Sequence, residues 1–313
     1  MRRRTLGNTG IELPELVLGT WGLSGDGYGQ VDEADQEQVI TRALGLGIDA
    51  FDTADAYAKG KMEERLGRLL AEREGAVVIT KIGTDRAATP PIKRFDAEYL
   101  REAALASKAR LGRRIDVLLL HNPSTLALDK PHVAQTMKDL CEEGVARAWG
   151  VSIGDAAIGT RAMEQGAQVL ELAYNAFHPQ DLAGVVTLAK EKQVGLIGRS
   201  ALAHGLLCGQ WPSTKQFPQG DHRRDRWTLD DFKKRISQLS ALRPSVRGDV
   251  TSLRAAALRF ALSEPALSAV VIGPRSAVQL DQLLREAGKE PPYLEEDART
   301  ALKHRLVNVG ILP

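Results

Sequence analysis

Asp52, Tyr57, Lys81 and His121 are the residues of this chain whose types could do chemistry together, the tyrosine standing five positions after the aspartate. A phenol alone is a weak acid of pKa about 10. A lysine beside it favours the phenolate and so strengthens the phenol as a proton donor, and an aspartate can hold and orient the ammonium. Such a donor meets the negative charge that grows on a carbonyl oxygen when hydride arrives at its carbon, so the four residues point to carbonyl reduction. Each also has a plain reading, since a lone Asp is often a helix cap, a lone Lys is usually solvated and a lone His is often structural. Their placement favours chemistry. Lys81 follows Val77-Val78-Ile79-Thr80 and His121 follows Val117-Leu118-Leu119-Leu120, so each ends an apolar run where a polar group needs partners. Asp52, on the neighbouring run, can pair with Lys81.

The elements that must carry them are legible as a repeat. Short runs rich in Val, Ile and Leu alternate with longer segments of helical period, the pattern of βα units around a parallel sheet. Strands are predicted at Leu16–Gly19, Ala50–Ala54, Val77–Lys81, Val117–His121, Ala146–Ser152, Val169–Asn175, Gly195–Ser200 and Ala269–Gly273. Helices are predicted near 34–45, 61–73, 96–111, 131–143, 156–165, 180–193, 252–264 and 276–287. Eight such units make a (β/α)8 TIM barrel, here one α/β domain over 1–313. Asp52, Lys81, His121, Ser152, Asn175 and Ser200 then fall at or near the C-terminal strand ends, the face on which such barrels build their sites. Two additions are expected. Arg3–Pro14, turning at Gly7-Asn8-Thr9-Gly10, should form an N-terminal β-hairpin cap on the barrel floor. A long loop at 205–250, between strands 7 and 8, contains Gly220-Asp221-His222-Arg223-Arg224-Asp225-Arg226-Trp227 and an amphipathic stretch at 228–242. It reads as a partly mobile lid, or otherwise as a solvated charged loop.

Composition narrows the partners. A chain of 313 residues with 43% hydrophobic content buries a large core, and 42 Lys and Arg against 40 Asp and Glu leave no basic surface for nucleic acid. A small-molecule carbonyl or alcohol substrate is expected. Cys141 and Cys208 form neither a disulfide framework nor a metal site, which fits a reducing, cytoplasmic compartment. Met1-Arg2-Arg3-Arg4 lacks the apolar stretch of a signal peptide, and no run of about 18 apolar residues suggests a membrane role. His132, His178, His204, His222 and His304 show no metal-ligand spacing, so no metal is expected. Monomer and weak oligomer both stay open.

Arg4-Thr5-Leu6-Gly7-Asn8-Thr9-Gly10, Leu18-Gly19-Thr20-Trp21-Gly22, Phe51-Asp52-Thr53-Ala54 through Tyr57, Glu63-Glu64-Arg65-Leu66-Gly67, Thr80-Lys81 and Leu119-Leu120-His121 together resemble the aldo-keto reductase superfamily. The resemblance covers nearly the whole chain and is nearest to bacterial NADP-dependent members. It implies that Asp52, Tyr57, Lys81 and His121 are a catalytic tetrad, with Tyr57 as the acid and His121 steering the carbonyl oxygen. It implies a nicotinamide cofactor in the barrel mouth, since neither G-x-G-x-x-G nor a P-loop occurs. Cofactor contacts are carried over to Thr20, Trp21 and Asp52; to Ser152 and Glu171 for the carboxamide; to Arg199 beneath the ring; and to Ser200, Leu202, Gly205, Leu207 and Gly209 around the pyrophosphate. Gly273, Arg275 and Gln279 complete the set. With Ser276, Arg275 opens a helix whose free N–H groups favour an anion, so NADP(H) is expected over NAD(H).

The chain departs from the common family pattern at Ile153 for an asparagine, Glu171 for a glutamine, Arg199 for a stacking aromatic and Leu283 for an asparagine. Expected substrate contacts are Trp21, Tyr28, Tyr57, His121 and Asn122, with Trp227 as a further wall. An alternative function is a dinucleotide-binding redox sensor or regulatory subunit with little turnover.

Overall fold

Strand alternation decides what fills the barrel and what stands at its mouth. The computed structural model describes residues 1–312. Its barrel strands are β1 (Leu16–Gly19), β2 (Ala50–Asp52), β3 (Val77–Ile82), β4 (Ile115–His121), β5 (Ala146–Ser152), β6 (Val169–Ala173), β7 (Gly195–Arg199) and β8 (Ala269–Ile272). They pair in chain order, all parallel, into one closed barrel. Val17, Ala50, Ile79, Val117, Leu119, Ala148, Val169, Ile197 and Ala269 pack together as an inner core. Two residues further along the same rows stand Asp52, Lys81, His121, Glu171 and Arg199, so the period that buries Ile79 also turns Lys81 inward.

The barrel helices follow their strands as α1 (Glu33–Gly45), α2 (Lys61–Leu69), α3 (Ala97–Leu111), α4 (Pro131–Glu142), α5 (Ala156–Glu164), α6 (Gln180–Glu191), α7 (Leu253–Leu262) and α8 (Ala277–Ala287). Side chains of Asp96, Asp155, Ser252 and Ser276 cap α3, α5, α7 and α8 by accepting from Tyr99, Ile158, Ala255 and Gln279 amides. Their inner faces and the outward rows of the strands form a second, larger core. Four predicted strands end one or two residues early, at Asp52, Ala173, Arg199 and Ile272. Beyond two of them the backbone turns: the Asn175 side chain accepts from the Phe177 amide, and Ser200 takes a φ of 58°. The sequence pattern does not reveal the terminal helix Glu296–Asn308, whose buried positions are only Leu302 and Leu306.

The expected hairpin is present, Arg3–Thr5 pairing with Glu12–Pro14. Leu6, Ile11 and Leu13 are fully buried in the inner core and close its floor. Gly7 has a φ of 54°, and a Cβ there would lie 2.3 Å from the Gly195 amide nitrogen, so only glycine fits. The connection at 205–250 carries its own helix, Leu229–Gln238, and a small aromatic core of Trp211, Phe217, Trp227 and Phe232. No helix among the described residues is long and apolar enough to cross a membrane.

Candidate active site

Four charges meet inside the barrel mouth. The Lys81 ammonium donates to Asp52 Oδ2 at 2.5 Å and to the Thr53 carbonyl at 3.1 Å. Glu171 Oε2 stands 3.3 Å from the same nitrogen without accepting a hydrogen bond from it, and Glu171 Oε1 lies 3.5 Å from Arg199 Nε. Arg199 Nη2 donates to the Ile153 carbonyl at 2.9 Å. Asp52, Lys81 and Glu171 are 4%, 2% and 1% exposed, so the charges are compensated by one another rather than by water. Burial and then Glu171 push the Asp52 carboxyl up to about 7, against the pull of Lys81. Burial works against the Lys81 charge, but Asp52 and Glu171 outweigh it and hold the lysine firmly protonated.

Tyr57 follows β2 on a tight turn. Ala58, Lys59 and Gly60 all have positive φ, at 49°, 55° and 87°. The turn is clamped: Asp26 accepts from the Ala58 amide at 2.7 Å and pairs with Arg86 at 3.0 Å, while Arg86 donates to the Ala56 carbonyl. Lys81 Nζ lies 5.5 Å from the Tyr57 ring centroid, and the His121 ring presents its edge at 6.1 Å. The Tyr57 hydroxyl has no hydrogen-bond partner among the described residues. One expectation needs correction here. Lys81 does pull on the phenol, but burial is the larger effect and raises the Tyr57 pKa, with Asp52 and Glu171 adding to the rise. The resting group is therefore a protonated phenol, not one already brought toward neutral pH. Burial, then Lys93 and Lys81, hold His121 neutral, and its buried Nδ1 has no partner.

The residues expected around a cofactor divide into those that face the mouth and those already engaged. Ser152 Oγ donates to Asn122 Oδ1 at 3.2 Å, with Asn122 at a φ of 50° on the rim. The Thr20 hydroxyl is spent on the Asp52 carbonyl. Amides of Gly205, Leu207 and Gly209 close hydrogen bonds to carbonyls within their own turn, and the Leu207 side chain is fully buried, so these positions offer close backbone approach rather than donors. Arg275 is not the open guanidinium expected: its Nε donates to the Gly22 carbonyl and its Nη2 to those of Gly29 and Gln30. Gln279 Oε1 accepts from the Arg275 amide on the surface, and Leu283 faces the core. Gly273 has open space where a Cβ would stand.

At the rim, Trp21 packs on Tyr28 at 5.0 Å and on His222 at 4.6 Å, and the Tyr28 hydroxyl meets His204 Nδ1 at 3.2 Å. The His222 amide donates to the Gly27 carbonyl at 2.9 Å, so the long connection is fastened to the Trp21–Tyr28 loop. His204 and His222 are held neutral, mainly by burial, down to about 3 and about 4. Sequence reasoning did not assign these histidines; the charged run at 220–227 was the signal that this segment mattered. Trp227 packs on Phe217 and Phe232 in the connection's own aromatic core. No group of three or more His, Cys, Asp or Glu among the described residues is placed to hold a metal ion.

Comparison with known proteins gives a consistent result. A family model described as the aldo/keto reductase family matches residues 15–299. The chain is 28% identical over 299 residues to the aldo-keto reductase YhdN of Bacillus subtilis, covering 92% of this chain and 89% of that protein. It is 25% identical over 316 residues to a protein of Arabidopsis thaliana named "Probable voltage-gated potassium channel subunit beta", covering 91% and 90%. Among solved structures, the holo form of aldo-keto reductase AKR11C1 from Bacillus halodurans superposes with a TM-score of 0.81 at 23% identity, covering 97% of this chain and 96% of that one. The glycerol dehydrogenase AKR11B4 from Gluconobacter oxydans gives a TM-score of 0.83 at 24% identity, covering 99% and 97%. At these identities the structural likeness speaks for the fold.

Proposed function

The chain belongs to the aldo/keto reductase family, nicotinamide-dependent oxidoreductases acting on carbonyl and alcohol groups, and from that premise we propose an NADPH-dependent aldehyde or ketone reductase with Tyr57 as general acid. The observation that carries this reading is the buried Lys81–Asp52 pair beside an unpartnered Tyr57 hydroxyl, with His121 edge-on to the same ring. A protonated phenol is the form a reductase needs before the reaction. As negative charge develops on the substrate oxygen, Tyr57 donates its proton, and the Lys81 charge stabilises the phenolate that remains. Neutral His121 can donate a hydrogen bond to that oxygen and fix its position.

The residues present fit a nicotinamide. Glu171 Oε2 is buried without a hydrogen-bond partner and can accept from a carboxamide N–H, and Ser152 and Asn122 stand on the next strand ends. Arg199 offers a planar face at the mouth. When bound, the cofactor supplies the hydride, which no side chain can. Preference for NADPH rests on Arg275 at the start of α8, whose Nη1 is left over after Nε and Nη2 have taken three carbonyls. Substrate would enter between Trp21, Tyr28, Tyr57, His121 and Asn122. The compartment proposed is the cytoplasm.

A second reading follows from the likeness to the protein named as a channel subunit: a dinucleotide-binding regulatory subunit with little turnover. Steady-state NADPH oxidation against aromatic aldehydes, aliphatic aldehydes, ketones and aldoses separates the two. Turnover is the expected result; tight NADPH binding with no turnover on any of them would overturn the reductase reading.

A further inference from the structure

Glu171 has no part in the tetrad, yet it is the charged group that ties the tetrad to the far side of the barrel. In the ring of eight strands, β6 lies directly across from β2. Lys81 reaches in from β3 and lies between Asp52 of β2 and Glu171 of β6, at 2.5 and 3.3 Å. Beyond Glu171, on the adjacent strand, stands Arg199, at 3.5 Å. The titratable groups that this carboxylate meets are Asp52 from β2, Lys81 from β3, Arg199 from β7 and Tyr57 from the loop after β2.

We propose that Glu171 is a positioning residue that seats Lys81 from across the barrel and, with Arg199, sets how much of the lysine charge Tyr57 feels. The proposal rests on the reductase reading and deepens it. A neutral amide at this position would leave Lys81 with one counter-ion and more of its charge on the phenol. A carboxylate divides that charge, while Arg199 partly offsets the carboxylate in turn. The two therefore act on Tyr57 in opposite senses, as the causes of its raised pKa also indicate. Glu171 is likewise the charged neighbour that, after burial, most raises Asp52.

The test is the pH profile of alcohol oxidation, the direction in which Tyr57 must accept a proton, in the wild type, Glu171→Gln and Arg199→Met. Glu171→Gln should move the profile's limb about one unit toward acid, and Arg199→Met should move it toward base. A merely structural role would lower the rate at every pH without moving the limb, and an unmoved limb in both variants overturns the proposal. Should Glu171→Gln fail to fold, the Arg199→Met shift alone decides, its absence being the refuting result. A second readout needs no turnover. The wild type should lose thermal stability through Asp52 as pH rises from about 4 to about 7, and Glu171→Gln should lose less over the same interval. An equal loss refutes the Glu171–Asp52 coupling even if the protein proves not to be a reductase; absent turnover with a reduced loss would reject the reductase reading alone.

Discussion

Tyr57 is a protonated, partly buried phenol that needs its lysine during the reaction rather than before it. Burial disfavours the phenolate, and Lys81 recovers part of that cost only as charge appears. The acidity was not legible in the sequence, because spacing shows which groups are neighbours and not how much water reaches them. Lys81 and His121 were legible because each ends an apolar run, and Asp52 as the charge near the end of the neighbouring run; the strand period turns all three inward. Glu171 was visible in the same way, as the one charge in Val169-Leu170-Glu171-Leu172, though its reach to Lys81 required the closed ring. Arg275 gives the first prediction. Arg275→Ala should weaken NADPH more than NADH, by about 1.5–3 kcal/mol as for a hydrogen bond to a charged group. Equal losses by fluorescence titration would show that Arg275 serves only to hold the Gly22, Gly29 and Gln30 carbonyls.

Among the elements, the connection between β7 and β8 departs furthest from what its sequence suggests. Its charged tract reads as part of a mobile lid or as a solvated loop; in the structure Asp221 pairs with Arg223 at 2.5 Å, and the Arg223 guanidinium lies over Tyr28, Trp211 and Phe217. The contact with Tyr28 joins residues far apart in the chain, and none of these contacts leaves a period to read. The eight βα units did leave one, and their predicted bounds agree with the structure to within a few residues. The fastening of this strap through His222 yields a second prediction. The stacking lost in His222→Ala is of the order of 0.5–1.5 kcal/mol, so the detached strap should be populated several-fold more. Limited trypsin cleavage near Arg223, Arg224 and Arg226 should quicken by that factor, and an unchanged rate would mean that the strap is held elsewhere.

The whole molecule is a barrel whose inner core is apolar below and charged above, and that layering has a pH signature. Burial, then Glu63, pushes the Asp55 carboxyl up to about 7, and its Oδ1 lacks a partner. A folded-state pKa above the unfolded value stabilises the fold fully below about pH 4 and ceases to do so as pH rises through about 7. His204 and His222 act in the other sense, since their lowered pKa values stabilise the fold above about 6.5 and this is lost as pH falls through about 4. The two trends oppose each other in the wild type, so the clean comparison is with Asp55→Asn. The melting temperature of the wild type minus that of Asp55→Asn should fall between pH 4 and 7, and a flat difference would show that Asp55 ionises normally. The most direct test of the central claim is single-turnover hydride transfer from NADPH to an accepted aldehyde in Tyr57→Phe. The rate should drop roughly a hundred- to ten-thousand-fold while NADPH affinity stays nearly unchanged; hydride transfer at the wild-type rate would contradict Tyr57 as the proton donor.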